Sequence, residues 1–156
     1  MRIIGVDPGL NIMGFGIIEK SKNDLRLITA GTIRTSSKDL IENRLNKLYS
    51  GLLEVIKKYK PEVLSLEEVF SNVKYPSAAI SLGYARGIVC LAAAQFSLPV
   101  KSYAAKRVKK AITGRGDAQK YQVQSMVQQI LKLKEAPNPF DAADALALAI
   151  SYTYLD

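Results

Sequence analysis

Three strand-length apolar segments follow one another at the start of the chain before any helical period appears. Residues 2–7 form an apolar run stopped by Pro8-Gly9, and Met13 to Glu19 and Leu25 to Arg34 are two more, joined by the polar turn Lys20 to Asp24. Strands this close in sequence can only pair as an antiparallel meander. The period then changes. Ser36 to Asp39 resembles a loose capping signal, and Ile41, Leu45, Leu48, Leu52 and Ile56 recur at helical spacing until Pro61. Val63 to Glu67 is a short apolar strand, and Tyr75-Pro76 opens a helix to about Phe96 that is rich in alanine and glycine. Pro99 to Tyr103 predicts a fifth strand, followed by a basic helix over 104–112, a glycine turn at Gly114-Arg115-Gly116 and a helix from about Ala118 to Leu131. The last helix starts at Asn138-Pro139, with Asn as N-cap and Pro at the first helical position. Strands alternating with helices demand parallel crossovers. The expectation is an α/β fold with a mixed five-stranded sheet flanked by helices and a meander at one edge.

Four acids fall where these elements end or begin: Asp7 after the first strand, Glu67 ending the fourth, and Asp141 and Asp144 in the first turns of the last helix. Sites in open α/β sheets gather at the carboxyl ends of strands, where Asp7 and Glu67 lie. Asp141 and Asp144, three apart, share one helix face. Alternation along a strand sends Glu67 and Glu68 to opposite faces, so only one of them can join such a cluster. Each acid has an ordinary reading as a turn former or a partner of a helix dipole. Four together would raise one another's pKa unless cations shared the site, and hard oxygen ligands favour magnesium or manganese. Two such ions roughly 4 Å apart activate water for phosphodiester cleavage.

Composition narrows the chemistry. The chain has no histidine, which removes the commonest general base and the commonest zinc ligand, and with them the zinc enzymes and the Ser-His-Asp and Cys-His hydrolases. Its 22 Lys+Arg against 14 Asp+Glu give a net charge of +8. Residues 101–120 hold Lys101, Lys106, Arg107, Lys109, Lys110, Arg115 and Lys120 against Asp117 alone, so most of the excess sits in one window. A basic window beside an acidic cluster fits a phosphodiester polyanion held by cations and cut at a metal site. The single Cys90, within an apolar stretch, predicts a small buried side chain and permits no internal disulfide. No apolar run reaches about 18 residues, so the expected location is the cytoplasm, and 156 residues fit a single domain, 1–156.

The element order is that of the ribonuclease H-like fold, and the motifs resemble the RuvC family of Holliday-junction resolvases through nearly the whole chain. Ile4-Gly5-Val6-Asp7-Pro8-Gly9 with Gly14 and Gly16 matches the family's opening strand, and Leu66-Glu67-Glu68-Val69-Phe70 its second acidic motif. Leu82-Gly83-Tyr84-Ala85-Arg86-Gly87 resembles its helix signature, with Tyr84 where Gln is usual. Gly114-Arg115-Gly116 through Lys120, Gln122-Val123-Gln124 and Met126-Val127 matches its basic segment, and Asp141-Ala142-Ala143-Asp144 its last acidic one. Some relatives carry His where Asp141 stands.

The resemblance implies that Asp7, Glu67, Asp141 and Asp144 are magnesium ligands of a nuclease that resolves four-way DNA junctions. Manganese would be able to substitute. It implies that Lys109 and Lys120 lie near the scissile phosphate as further catalytic groups and that Phe70 stacks on an unpaired base. Lys106 and Arg115 are expected to bind phosphates. Paired nicks imply a homodimer, which in the family forms through the helix of residues 76–96, and the family works with a branch-migration motor complex. Three other readings share parts of the pattern: another nuclease of the same fold acting on RNA, an actin-like nucleotide-binding protein, which needs two lobes, and a DNA-binding protein with structural acids.

Overall fold

The computed structural model describes residues 1–69 and 74–156; Phe70 falls outside the described residues. Five strands form one sheet: β1 (Arg2–Asp7), β2 (Ile12–Lys20), β3 (Leu25–Arg34), β4 (Val63–Glu67) and β5 (Val100–Tyr103), in the order β3-β2-β1-β4-β5. β1, β2 and β3 pair antiparallel, whereas β4 pairs parallel to both β1 and β5. The α/β class, the mixed five-stranded sheet and the meander at one edge are as the segment pattern requires.

Five helices cover the sheet: α1 (Ile41–Tyr59), α2 (Pro76–Gln95), α3 (Ala105–Thr113), α4 (Lys120–Ile130) and α5 (Phe140–Leu155). Alternation along β1 and β4 divides the core in two. Ile4, Val6, Leu64 and Leu66 pack with Leu48, Leu52 and Ile56 of α1 and with Ala85, Val89, Ala92 and Ala93 of α2. On the other face Ile3 and Val63 pack with α3, α4 and α5 through Val108, Ile112, Val123, Val127 and Leu146. All these apolar side chains are buried, which supplies the main driving force for closing the two layers.

The helix α5 lies against the sheet through glycine. A Cβ on Gly5 would run into the carbonyl oxygen of Ala145 and come within 2.7 Å of the Ala149 nitrogen; on Gly16 it would come within 2.6 Å of a Leu146 methyl. Gly14 has no room for a Cβ beside the backbone of Asp141. Gly5 and Gly16 are cross-strand partners, as are Asp7 and Gly14, so the bare strip leads to the first acid. Ser65, buried in β4, donates its hydroxyl to the carbonyl of Leu148 at 2.7 Å and fixes the helix rotation from the neighbouring strand.

Three local expectations are corrected. The last helix has Pro139 rather than Asn138 at its N-cap: the extended Pro139 carbonyl accepts from Ala142 at 3.0 Å, leaving Phe140 as the first helical residue and Asp141 still in the first turn. At α1 the N-cap is Leu40, without a side-chain cap, and Ser36 instead accepts from the amide of Lys38 at 3.2 Å, forming a local turn. Cys90 is exposed, not buried, because it lies on the outward face of α2. That helix is also long and apolar enough to cross a membrane by length and composition, although Arg86 divides its apolar run. Only part of it is buried against α1 and the sheet.

Candidate active site

The parallel register of Val6 with Leu66 sets Asp7 and Glu67 side by side at the carboxyl ends of β1 and β4. Both belong to the odd-numbered positions that face α5, along with Gly5 and Ser65, so the alternation turns Glu67 toward that face and Glu68 away from it. From α5, Asp144 reaches the same place one turn before the Leu148 carbonyl that Ser65 holds. Asp7, Glu67 and Asp144 line one cavity of about 320 Å3, closed by Ala105 and Val108 of α3 and by Ala147 and Leu148 of α5. Asp141 is outside this lining, yet its charge acts on both Asp7 and Asp144.

Two lysines enter from the basic window. Gly114, with φ of 81°, closes α3 by donating to the Lys110 carbonyl at 2.8 Å, a left-handed position that favours glycine. The amide of Gln119 donates to Gln122 Oε1 at 2.7 Å and starts α4 at Lys120. The turn between these caps brings Lys109 and Lys120 to the acid cavity, where Lys120 Nζ lies 3.7 Å from Asp144 Oδ2. Lys106 is exposed and does not line that cavity. Arg115 pairs with Asp117 at 3.2 Å and lines a separate cavity with Tyr121, Gln122 and Ser125.

Burial and crowding act together on these acids. Burial pushes the Asp7 carboxyl up to about 7, helped by the charges of Asp144, Glu67 and Asp141 and opposed by Lys120. Burial also raises Glu67, with Asp144 adding to it while Lys109 and Lys120 oppose. Asp144 is raised by burial too, with Lys120 the strongest opposing influence and Asp141 adding to the rise. Carboxylates held together against their own repulsion form an oxygen-rich site suited to hard cations. As the side chains stand, no group of three acids among the described residues converges on a single ion position.

The residues that sequence reading passed over are those that position the acids. Ser65 had a signal, since it is the one polar residue between the apolar neighbours of β4. Arg44 did not: it looks like a charge on the outer face of α1, yet it is buried and donates to Thr35 Oγ1 at 3.0 Å and to Asn11 Oδ1. Thr35 in turn donates to the Leu10 carbonyl at 2.6 Å, so this network fixes the loop that follows Asp7.

An acid at the end of the first strand, another at the end of the parallel strand beside it, and a helix carrying acids across that edge define a ribonuclease H-like protein. Solved structures bear out the fold. The chain matches the Thermus thermophilus RuvC structure in complex with Holliday junction substrate with a TM-score of 0.92 and 35% identity, covering 99% of this chain and 93% of that one. The yeast mitochondrial Holliday junction resolvase shares the fold at a TM-score of 0.67 and 14% identity, over 96% of this chain and 76% of that one. The family model for crossover junction endodeoxyribonuclease RuvC matches residues 3–152, and the chain belongs to that family. A relative of that description from Desulforamulus reducens is 46% identical over 97% of this chain and 93% of its own length. One from Pelotomaculum thermopropionicum is 47% identical over 99% and 93%.

Proposed function

We propose that this protein is an endonuclease that resolves four-way DNA junctions by paired, symmetric nicks during recombination and repair. The observation that carries the reading is the single cavity in which acids from β1, β4 and α5 meet lysines from α3 and α4. Such a cavity can hold a phosphate on its lysines beside a cluster of carboxylates, which suits phosphodiester hydrolysis.

Asp7, Glu67, Asp141 and Asp144 fit a divalent metal by their chemistry: four carboxylates, three of them with pKa values raised by burial and by neighbouring acids, whose mutual repulsion a bound cation would relieve. Magnesium is the proposed ion, two per site, with manganese as a substitute. Bound there, such ions would supply Lewis-acid activation of water and neutralisation of charge on the phosphate. The lysines do the rest. Lys109 and Lys120 hold the scissile phosphate and offset charge that grows on its oxygens during in-line attack, leaving 5′-phosphate and 3′-hydroxyl ends. Lys106 and Arg115, outside the cavity, hold the backbone of the arms, and Phe70 stacks on an unpaired base, an interaction worth about 1–3 kcal/mol.

Paired nicks need two sites related by a twofold axis, and the proposed assembly is a homodimer through α2. That helix exposes Ile80 at 60%, Tyr84 at 46% and Leu91 at 54% along one face, where Gly83 and Gly87 have open space beyond them. An exposed apolar stripe of this kind marks a protein interface. The chain is taken to act as one domain, in the cytoplasm where its DNA is, beside a branch-migration motor.

The test is gel-resolved cleavage of a migratable four-way junction, against linear duplex and RNA–DNA hybrid, with and without magnesium. Symmetric nicks in the junction alone, only with metal, are expected. Cutting of the hybrid would point to another nuclease activity of the same fold, and binding without cutting would leave a DNA-binding protein.

A further inference from the structure

We propose that Arg86 is a positioning residue that couples the dimer helix to the catalytic edge by fixing Glu67. The proposal rests on the reading of α2 as the homodimer interface and of Glu67 as a catalytic acid.

The contact is direct. From α2, one guanidinium nitrogen of Arg86 donates to the backbone carbonyl of Glu67, and the other donates to Ser102 Oγ of β5 at 3.3 Å. A planar guanidinium with donors in a fixed fork can tie two strand ends at once, which a flexible ammonium does poorly. The tie meets β4 at its last residue, beyond which the amide of Glu68, donating to the Tyr103 carbonyl at 2.9 Å, continues the pairing. Arg86 does not act as a counter-charge: the cations that oppose the rise of the Glu67 carboxyl are Lys109 and Lys120. Its effect goes through the backbone, on where the carboxylate is held.

The outward face of the same turns, running from beside Arg86 at Gly83 round to Tyr84, is exposed. Gly83, Tyr84 and Gly87 are exposed, and among the described residues nothing outside the helix's own backbone lies within 4 Å of a Cβ on either glycine. None of residues 76–84 is fully buried, and the first buried residue of α2 is Ala85. The helix is thus anchored in its own core only from Ala85 onward, and Arg86 stands where anchorage begins. A second copy seated on the outer stripe fixes the first half of α2 and with it the base of the Arg86 tie. A chain without its partner holds Glu67 less firmly. A subunit that cuts well only when paired suits a reaction in which an isolated nick is of no use.

The experiment compares Arg86→Ala, Arg86→Lys and Gly87→Glu with wild type in four readouts: sedimentation, junction affinity, single-turnover nicking rate, and amide hydrogen exchange over residues 63–69. Arg86→Ala is expected to stay dimeric and bind junction within about twofold. It should nick roughly tenfold to a hundredfold more slowly, the scale on which a small misplacement of a catalytic group acts. The amides of Glu67 and Glu68 should exchange faster. Arg86→Lys should fall between. Gly87→Glu, with Arg86 intact, should be monomeric and show the same faster exchange.

Unchanged nicking and exchange in Arg86→Ala would overturn the positioning role, and a Gly87→Glu monomer with wild-type exchange at Glu67 would overturn the coupling. Should Arg86→Ala fail to fold, Ser102→Ala removes only the outer tether: a partial loss in both readouts supports the proposal, and no loss overturns it. If wild type cuts no junction, the nuclease reading falls, while hydrogen exchange still decides whether α2 and Glu67 are coupled.

Discussion

α5 and α2 are both alanine-rich and apolar, yet the sheet treats them in opposite ways. α5 is buried along nearly its whole length and sits on the strip of Gly5, Gly14 and Gly16, its backbone against theirs. α2 buries four residues and turns its glycines outward. The same small side chains therefore serve two ends. In α5 they let a helix come so close that Asp144 reaches an acid on a strand, and in α2 they leave a surface that a second helix can approach. Small residues in a helix announce close packing without saying against what.

The largest effect should come from the α5 side. Asp7→Asn is expected to lower junction cleavage at least about a thousandfold, since several kcal/mol of metal-dependent stabilisation depend on the ligand set. Junction affinity measured without metal should survive. Wild-type cleavage by Asp7→Asn would show that α5 brings its acids to the wrong partner. Next in size is the helix seat. Gly5→Ala has no space for its methyl between Ala145 and Ala149, and a loss of about 3 kcal/mol or more, read by denaturant melting, is expected. An unchanged midpoint would mean that α5 rides higher than described.

Stability against pH separates the two helices further. The folded pKa of Asp7, about 7, is above its unfolded value near 3.8, so the folded state holds the proton more tightly. Its contribution to stability is complete below about pH 4 and is lost as pH rises to about 7. Asp7→Asn should therefore be more stable than wild type at pH 8 without metal, by up to a few kcal/mol at about 1.4 per pKa unit. Magnesium should narrow the gap by stabilising wild type alone. Equal melting temperatures for the two proteins at pH 8 without metal would remove the argument from burial and crowding.

Lys120→Ala comes below these, with nicking expected to slow about tenfold while affinity changes less, in keeping with a charge that acts mainly in the transition state. Equal losses would leave it a binding role alone. The smallest effect belongs to α2. Gly87→Ala meets open space and should raise chain stability by about 0.5–1 kcal/mol through helix propensity, while weakening the dimer if that face is the interface. A change in stability with no change in dimer dissociation would move the interface elsewhere.

Much of this architecture was legible because apolar periods change at the element boundaries. Three strand-like runs, each cut by Gly, Pro or a polar turn, leave few ways to pair, and Asn138-Pro139 marks the start of α5 to within one residue. The positions of Asp7, Glu67 and Asp144 were legible for the same reason, since strand ends and first helical turns can be read from pattern, whereas Asp141 lies outside the cavity lining. What stayed hidden depends on distance between segments. A glycine in a strand reads as a weakness until a helix is found pressed on it, as at Gly14. Arg44 reads as surface charge, because nothing nearby in sequence names Asn11 and Thr35 as its partners. Cys90 misled because an apolar neighbourhood does not tell which side of a helix lacks a cover. Lys106 and Lys109 are three apart on one helix, yet only Lys109 lines the acid cavity.

The seat of α5 also has a consequence for biosynthesis. A ribosome delivers β1 and β4, with Asp7 and Glu67, long before it delivers Asp144, and a domain folds as a unit once its parts have emerged. Until α5 arrives, the glycine strip lies open and the two strand acids lack their third neighbour and the roof of the cavity. The cavity that gathers Asp7, Glu67 and Asp144 is therefore among the last things the growing polypeptide completes, and an unfinished chain carries that edge of the sheet unassembled.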